Sequence, residues 1–72
     1  MALNTQSKSL TLLRRKDVES RTGLRRSTIY ERMKNGTFPR PIKLGARVSC
    51  WPEHEIETWL DEQIAVSRGE FK

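Results

Sequence analysis

Two short segments that each end at a glycine, two extended runs joined at a glycine, and a final amphipathic segment follow one another along 72 residues. This order predicts a mainly α fold with a small β-hairpin, a winged helix-turn-helix. The core is expected to be thin, because so short a chain buries only about 60% of its unfolded surface. We expect a flexible tail at residues 1–9, one folded domain at 10–67 and a frayed end at 68–72.

The first predicted helix follows a short apolar run at residues 10–13, which is compatible with a single strand. The helix is predicted at residues 15–22 and ends at Gly23, since glycine takes the left-handed conformation at a helix C-terminus without a Cβ clash. Val18 is its one clearly apolar residue, so its packing depends on the leucines that flank its two ends.

The second helix is predicted at residues 27–35 and is again closed by a glycine, Gly36. Ile29, Tyr30 and Met33 fall on one face, and we expect that face in the core. The opposite face carries short polar and basic side chains. Such a face suits a helix lying in the major groove of DNA, and it also suits an ordinary surface helix.

A β-hairpin is predicted next, after the helix-breaking segment at residues 38–41 with its two prolines. Apolar residues then alternate with Lys43 and Arg47, which predicts a sheet face on the core and a basic face outward. The apolar residues expected to face the core are Ile42, Leu44, Val48 and Cys50. Gly45 at the first central position of a two-residue loop favours a type II′ turn.

The last helix is predicted to open at residues 51–53, where Pro52 fits the first helical position. Glu53 and Glu55 then lie at the positive end of the helix dipole. Apolar residues recur at helical spacing and predict that this helix closes the core. They are Ile56, Trp59, Leu60 and Ile64, and Trp51 is expected in the core beside them.

Charge is divided unevenly along the chain. Residues 8–50 hold twelve Lys and Arg against three acids, a net charge of +9, whereas residues 51–72 hold two cations against six acids, a net charge of −4. Double-stranded DNA carries about one negative charge per 1.7 Å, so the basic part would turn toward a duplex before any contact forms. The charge distribution therefore favours double-stranded DNA as the partner, with an ordinary solvated surface as the alternative.

Other functional classes find little support in the composition. A single cysteine, Cys50, and a single histidine, His54, provide neither a disulfide framework nor a zinc site, and we expect no metal and no cofactor. The carboxylates cluster on one helix without a partnered nucleophile and base, so we do not expect an enzyme. No apolar run approaches the roughly 18 residues of a membrane span, and the N-terminal stretch has no signal core. We expect a cytoplasmic, nucleoid-associated protein that does not contact a membrane.

A set of motifs carries a resemblance to a known family. In order, the chain contains Gly23-Leu24-Arg25-Arg26-Ser27-Thr28-Ile29-Tyr30, Gly36-Thr37-Phe38-Pro39-Arg40-Pro41, Leu44-Gly45, Trp51 and Trp59-Leu60. Together these motifs resemble the AlpA family of prophage transcriptional regulators over about residues 12–60. The family is related to phage excisionases and has a MerR-like winged-helix fold. The resemblance implies a DNA-binding protein that regulates transcription of prophage genes, often the integrase gene.

Site residues follow from this resemblance by position, with the recognition helix at residues 26–35 and the wing at 40–49. The candidate recognition-helix contacts are Arg25, Arg26, Ser27, Thr28, Glu31 and Lys34, and the candidate wing contacts are Arg40, Lys43 and Arg47. Arginine pairs bidentately with guanine, and Ser or Thr can reach bases or phosphates. Relatives usually have serine where this chain has Arg25, so the residue suited to capping the second helix is replaced.

For three further side chains we expect ordinary structural roles or, for Glu31, a choice between a structural role and a base contact. We expect Arg32 to point toward the acids of the last helix, Glu31 either to accept from a cytosine amine or to pair with a nearby cation, and Cys50 to be buried and inert.

Three roles stay open. The first is a transcription regulator, and the second is an excisionase, a recombination directionality factor that bends attachment-site DNA and recruits integrase. The third is a protein-interaction adaptor that uses the acidic C-terminal helix. The family further implies two partners besides DNA, namely integrase and other copies of the chain bound cooperatively on DNA.

Overall fold

The computed structural model describes residues 10–69 and arranges them as three helices and a small antiparallel sheet. The elements are β1 (Leu12–Leu13), α1 (Arg15–Thr22), α2 (Arg26–Lys34), β2 (Ile42–Lys43), β3 (Ser49–Pro52) and α3 (Glu53–Ser67). This architecture confirms the predicted fold class, a mainly α winged helix-turn-helix. The predicted tail at residues 1–9, and residues 70–72 of the predicted frayed end, lie outside the described residues.

Glycines end the first two helices, as the sequence predicts. Gly23 has φ 75° and donates its N–H to the carbonyl oxygen of Glu19 at 2.8 Å, which closes α1. Gly36 has φ 76°, and its N–H donates to the carbonyl oxygen of Met33 at 3.1 Å. The next N–H, that of Thr37, reaches back to the Arg32 carbonyl oxygen at 2.8 Å. These two bonds form a Schellman motif, which satisfies carbonyls at the end of α2 and turns the chain toward the hairpin.

The sheet is built around β3, which has β1 on one side and β2 on the other. Both pairings are antiparallel, with Leu13 opposite Trp51 and Ile42 opposite Cys50. The N–H of Glu53, the first residue of α3, donates to the carbonyl oxygen of Thr11 at 2.8 Å. The segment before α1 therefore fixes the start of the last helix, and Pro52 ends β3 instead of being the first helical residue.

A single apolar cluster holds the elements together. Its buried members are Leu13, Val18, Ile29, Phe38, Trp51 and Ile56, with Leu24, Met33, Trp59 and Leu60 packed against them. The ring of Phe38 meets that of Trp59 edge to face, with centroids 4.7 Å apart. Phe38 thus belongs to the core although it lies in the segment that the sequence identifies only as a helix breaker.

The apolar face predicted for the hairpin is wrong for β2 and its loop. Ile42 is 43% exposed and Leu44 is 56% exposed. Successive side chains of a strand point to opposite faces, and fully buried Trp51 directs one face of β3 to the core cluster. Cys50, and Ile42 across from it, therefore lie on the other face. Cys50 is buried, as predicted, but on the face opposite to that of Trp51, while Ile42 and Leu44 are exposed.

The predicted two-residue type II′ turn is also wrong. The N–H of Leu44 donates to the carbonyl oxygen of Val48 at 2.9 Å, so three residues separate the hydrogen-bonded pair. A type II′ turn requires a positive φ at its first central residue, and Gly45 has none. The wing is accordingly broader than a tight hairpin.

The apolar stripe of α3 is buried over only part of its length. Ile56 is fully buried and Leu60 is half-buried, but Ile64 is exposed, contrary to its predicted place in the core. The other core residues come from elements that pack against the first half of α3, so its last turns lie beyond them. The helix ends at Ser67, and the N–H groups of Arg68 and Gly69 donate to the carbonyls of Ile64 and Val66.

Candidate nucleic-acid interface

The outer face of α2 is polar and open to solvent. Ile29 is fully buried and fixes the rotation of the helix about its axis. The predicted recognition-helix residues then take the outer side: Arg25, Arg26, Ser27, Glu31 and Lys34 are exposed, and Thr28 is half-buried. The helix is two and a half turns long, so this face presents one short row of polar groups.

The first turn of α2 has no side-chain cap. Arg25 stands at the N-cap position, and its side chain accepts no hydrogen bond because a guanidinium has no acceptor. The N–H groups of this turn remain available to an external acceptor, and the positive end of the helix dipole lies there. The start of α2 is therefore open and carries two adjacent arginines, Arg25 and Arg26.

Tyr30 is not in the core, contrary to the sequence-based expectation. Its side chain is 42% exposed, and the guanidinium carbon of Arg26 lies over its ring at 5.7 Å from the centroid. Arg26 and Tyr30 are four residues apart and thus share one side of α2. Ile29 and Met33 face the core, and Tyr30 lies about 100° around the helix from Ile29, so its ring reaches the surface. The stack limits the directions in which Arg26 can point.

The predicted wing residues are exposed on and around the hairpin. Lys43 lies in β2 opposite Ser49, so the two side chains leave the same face of the sheet. Arg47 lies in the loop between β2 and β3, and Arg40 precedes β2 in the extended segment. Ser49 and Trp51 share one face of β3, so Lys43 lies on the face that Trp51 directs to the core cluster, contrary to the predicted outward basic face. It is nevertheless exposed there.

A cleft of about 500 Å³ lies where the start of α1, the outer face of α2 and the wing meet. Four cations and one acid line it: Arg14, Arg15, Lys16, Arg47 and Asp17. Tyr30 and Ser49 complete the lining and contribute hydroxyl groups. We refer to this feature as the basic cleft. Of the predicted site residues, only Arg47 belongs to it, and Arg25, Lys34, Arg40 and Lys43 lie elsewhere on the surface.

The contact residues predicted from the sequence do not include Arg14, Lys16 or Tyr30. The first two stand at the start of a helix whose position relative to the wing depends on the sheet, and nothing local to them predicts that neighbourhood. The uneven charge along the chain was the signal available, since it included Arg14 and Lys16 among the twelve cations of residues 8–50.

Ion pairs engage two cations within residues 10–69. Arg15 pairs with Glu19 one helical turn later at 3.1 Å. Arg21 donates to Glu53 of α3 and lies 4.0 Å from Glu57. The hydrogen bond to Glu53 raises the pKa of Arg21 above its ordinary value, with further Coulombic support from the same carboxylate. In this part of the chain the cations of α2 and of the wing are in no ion pair, which leaves their charge available to a partner.

The partner expected for Arg32 is wrong in detail. Its guanidinium carbon lies 5.8 Å from the ring centroid of Trp59. Arg32 thus contacts α3, as predicted, but through an aromatic ring and not through a carboxylate. Arg21 is the cation that pairs with the acids of α3. This contact holds Arg21 on the α3 side of α1.

Two further observations concern residues 10–69. No helix in this range is both long enough and apolar enough to cross a membrane. Nor does the range contain a group of three or more His, Cys, Asp or Glu side chains that could hold a metal ion.

Comparison with known proteins gives consistent results. The family model described as "Prophage CP4-57 regulatory protein (AlpA)" matches residues 11–64. The chain is 40% identical over 53 residues to the uncharacterized protein ORF88 of Enterobacteria phage P4, covering 74% of this chain and 60% of that protein. It is 33% identical over 67 residues to the DNA-binding transcriptional activator AlpA of Escherichia coli K12, covering 85% of this chain and 94% of that protein. No solved structure matches the chain significantly.

Proposed function

The chain belongs to the AlpA family of prophage regulatory proteins, and from this premise we propose that it binds double-stranded DNA sequence-specifically and regulates prophage transcription. The observation that carries the proposal is the exposed polar face of α2, flanked by the cations of the wing and of the basic cleft. The relative in E. coli is named a DNA-binding transcriptional activator, which supports the same function here. Such a protein works in the cytoplasm, on the nucleoid.

In this proposal α2 enters the major groove. Arg26 pairs with a guanine edge, Ser27 and Thr28 contact bases or phosphates at the start of the helix, and Glu31 accepts from a cytosine amine. Arg25 and Lys34 contact phosphates at the two ends of α2. A helix with a short polar row of this kind reads only a few base pairs, so the remaining affinity has to come from backbone contacts.

The wing supplies part of those backbone contacts. Arg40, Lys43 and Arg47 contact phosphates or enter a neighbouring minor groove, where cationic side chains are favoured by the negative potential. The DNA-binding unit comprises residues 10–67. Its footprint is expected to be about 600–1,000 Å², typical of a single small module. Because this area is limited, we propose that copies bind cooperatively at repeated sites.

The proposed target is the control region of an integrase gene. The excisionase role is the second candidate, and both use the same DNA-binding surface. Deleting the gene and measuring integrase transcript and excised circle separately distinguishes them. The regulator role is supported if the deletion abolishes both the integrase transcript and excision, and if integrase supplied from a plasmid restores excision. Loss of excision despite plasmid-encoded integrase indicates the architectural role and recruitment of integrase.

Duplex binding itself is tested by fluorescence anisotropy with DNA from the integrase control region at several salt concentrations. We expect log K to fall linearly with log salt, with a slope of about −0.9 for each phosphate neutralised. A scrambled duplex of equal length should bind more weakly at every salt concentration. An affinity that hardly responds to salt would contradict the proposal and favour an adaptor that acts through the acidic α3.

A further inference from the structure

The basic cleft joins three elements that are far apart in the sequence. Arg14 and Lys16 come from the start of α1, Tyr30 from α2, and Arg47 and Ser49 from the wing. Its volume of about 500 Å³ lies within the range of cavities that hold small ligands or parts of larger ones. The cleft thus gathers cations from outside the recognition helix together with one from the wing.

The charges of the cleft are only partly compensated. Arg15 is paired with Glu19 at 3.1 Å. Asp17 accepts a hydrogen bond from the backbone N–H of Arg14 at 3.1 Å, so one of its oxygens is directed to the helix start. Within residues 10–69, Arg14, Lys16 and Arg47 are in no ion pair. Three exposed cations around one concavity repel one another, and an anion between them would relieve this repulsion.

We propose that the basic cleft binds a phosphate group, namely a backbone phosphodiester of the bound duplex. Arg14 and Lys16 hold it from the side of α1 and Arg47 from the side of the wing, while the hydroxyls of Tyr30 and Ser49 provide hydrogen bonds. Arginine and lysine are the usual phosphate ligands, and hydroxyl groups add direction to the contact. This inference rests on the proposed function and extends the interface to α1, beyond the recognition helix and the wing.

The decisive experiment measures the salt dependence of duplex binding for Arg14→Ala and Lys16→Ala. Each change should reduce the steepness of the log K against log salt plot by about 0.9, the value for one phosphate contact. The affinity deficit of each variant should then shrink about threefold between roughly 50 and 200 mM salt. The preferred DNA sequence should stay the same, because backbone contacts carry no base information.

Arg21→Ala is the matched control. It removes the same charge from the same helix, but Arg21 contacts Glu53 and Glu57 and does not line the cleft. Its salt slope should equal that of the unchanged protein. Thermal melts of all three variants show that they are folded at the assay temperature. A further variant, Lys16→Gln, keeps a long polar side chain but removes the charge. Its plot of log K against log salt should become less steep by the same amount as that of Lys16→Ala.

A titration with inorganic phosphate, followed by amide chemical shifts at Lys16 and Ser49, separates a duplex phosphate from a free one. Slope changes for Arg14→Ala and Lys16→Ala, without saturable inorganic phosphate binding below the millimolar range, support the proposal. If the salt slopes of Arg14→Ala and Lys16→Ala equal that of the unchanged protein, the cleft proposal is overturned although duplex binding stands. This holds also when the cleft binds inorganic phosphate tightly. If the unchanged protein shows no salt-dependent duplex binding, the proposed function itself fails.

Discussion

The indole N–H of Trp51 donates to the carbonyl oxygen of Pro39 at 2.9 Å, which ties the middle strand to the segment that leaves α2. Trp59 makes the corresponding bond to the Thr37 carbonyl at 2.9 Å. The connection between α2 and the wing contains two prolines and no regular structure, so its path depends on these two indoles. The position of the wing relative to α2 is therefore set by tryptophans in β3 and α3.

Trp51→Phe should destabilise the protein by about 2–3 kcal/mol, because it leaves a cavity and removes the partner of the Pro39 carbonyl. Trp59→Phe should cost about 1 kcal/mol or less, since Trp59 is half-exposed and water can replace its bond. Urea unfolding followed by circular dichroism gives both values. Equal losses would show that the two indoles do not differ in this respect.

Gly36→Ala should reduce stability by about 1–2 kcal/mol, the cost of a Cβ in the left-handed conformation. A Cβ at Gly36 would meet no atom within 4 Å, so the backbone conformation alone is responsible. Gly45→Ala is the control: its site is equally open and has no positive φ, and we expect no loss of stability. Thermal unfolding of the two variants side by side is sufficient. A similar loss at Gly45 would contradict the assigned turn geometry.

Tyr30→Ala should weaken binding to the preferred duplex at least about two- to fivefold, because it removes an exposed cation–π contact and the hydroxyl proposed to contact phosphate. The loss should be accompanied by weaker discrimination at one base position, since Tyr30 orients Arg26. Tyr30→Phe keeps the ring and should keep this discrimination. Binding to a panel of duplexes with single base changes provides the readout. Equal discrimination by Tyr30→Ala and the unchanged protein would mean that the stack does not orient Arg26.

Lys43→Ala and Thr28→Ala should affect DNA binding differently, the first through the salt dependence and the second through the base preference. Lys43 is an exposed wing cation, so its removal should lower the salt slope by about one and leave base preference intact. Thr28 lies at the start of α2, and its removal should relax preference at one base position at unchanged slope. The same uniform loss in both variants would count against docking of α2 in the major groove.

The contribution of Arg21 to stability should be independent of pH from about pH 7 to about pH 10. Contact with Glu53 raises the pKa of Arg21 in the folded protein. A raised pKa gives stability that is present below the unfolded-state pKa and is lost only as pH rises through the folded-state pKa. For arginine both values lie above the range tested. The difference in melting temperature between Arg21→Ala and the unchanged protein should stay constant there and shrink with added salt. A difference that falls toward pH 10 would contradict this.

The local parts of the fold were predictable from the sequence. Gly23 and Gly36 mark where the first two helices stop, and the bounds of α1 agree with those expected. Local sequence patterns do not predict the orientation of a side chain where packing against a distant element determines it. The alternation in the hairpin is visible in the sequence, but which of its faces meets the core depends on Trp51 and its pairing with Leu13. The outward position of Tyr30 likewise depends on how burial of Ile29 sets the rotation of α2.

The candidate site shows the same division. The polar face of α2 and the wing cations are visible as patterns, and they are exposed in the structure. The basic cleft was not predictable, because Arg14 and Arg47 are separated by more than half of the domain. Only the three-stranded sheet brings them to one place.

Cys50 is the single cysteine of the chain and is buried in β3, where it lies opposite Ile42 of β2. A thiol reagent can reach the buried sulfur only when the structure around it opens, so the modification rate is a measure of local opening. The native protein thus contains an intrinsic reporter for pulse-labelling experiments. A cysteine introduced on the surface would react with a fluorophore reagent before buried Cys50 does. The protein can therefore be labelled specifically without replacing the native cysteine.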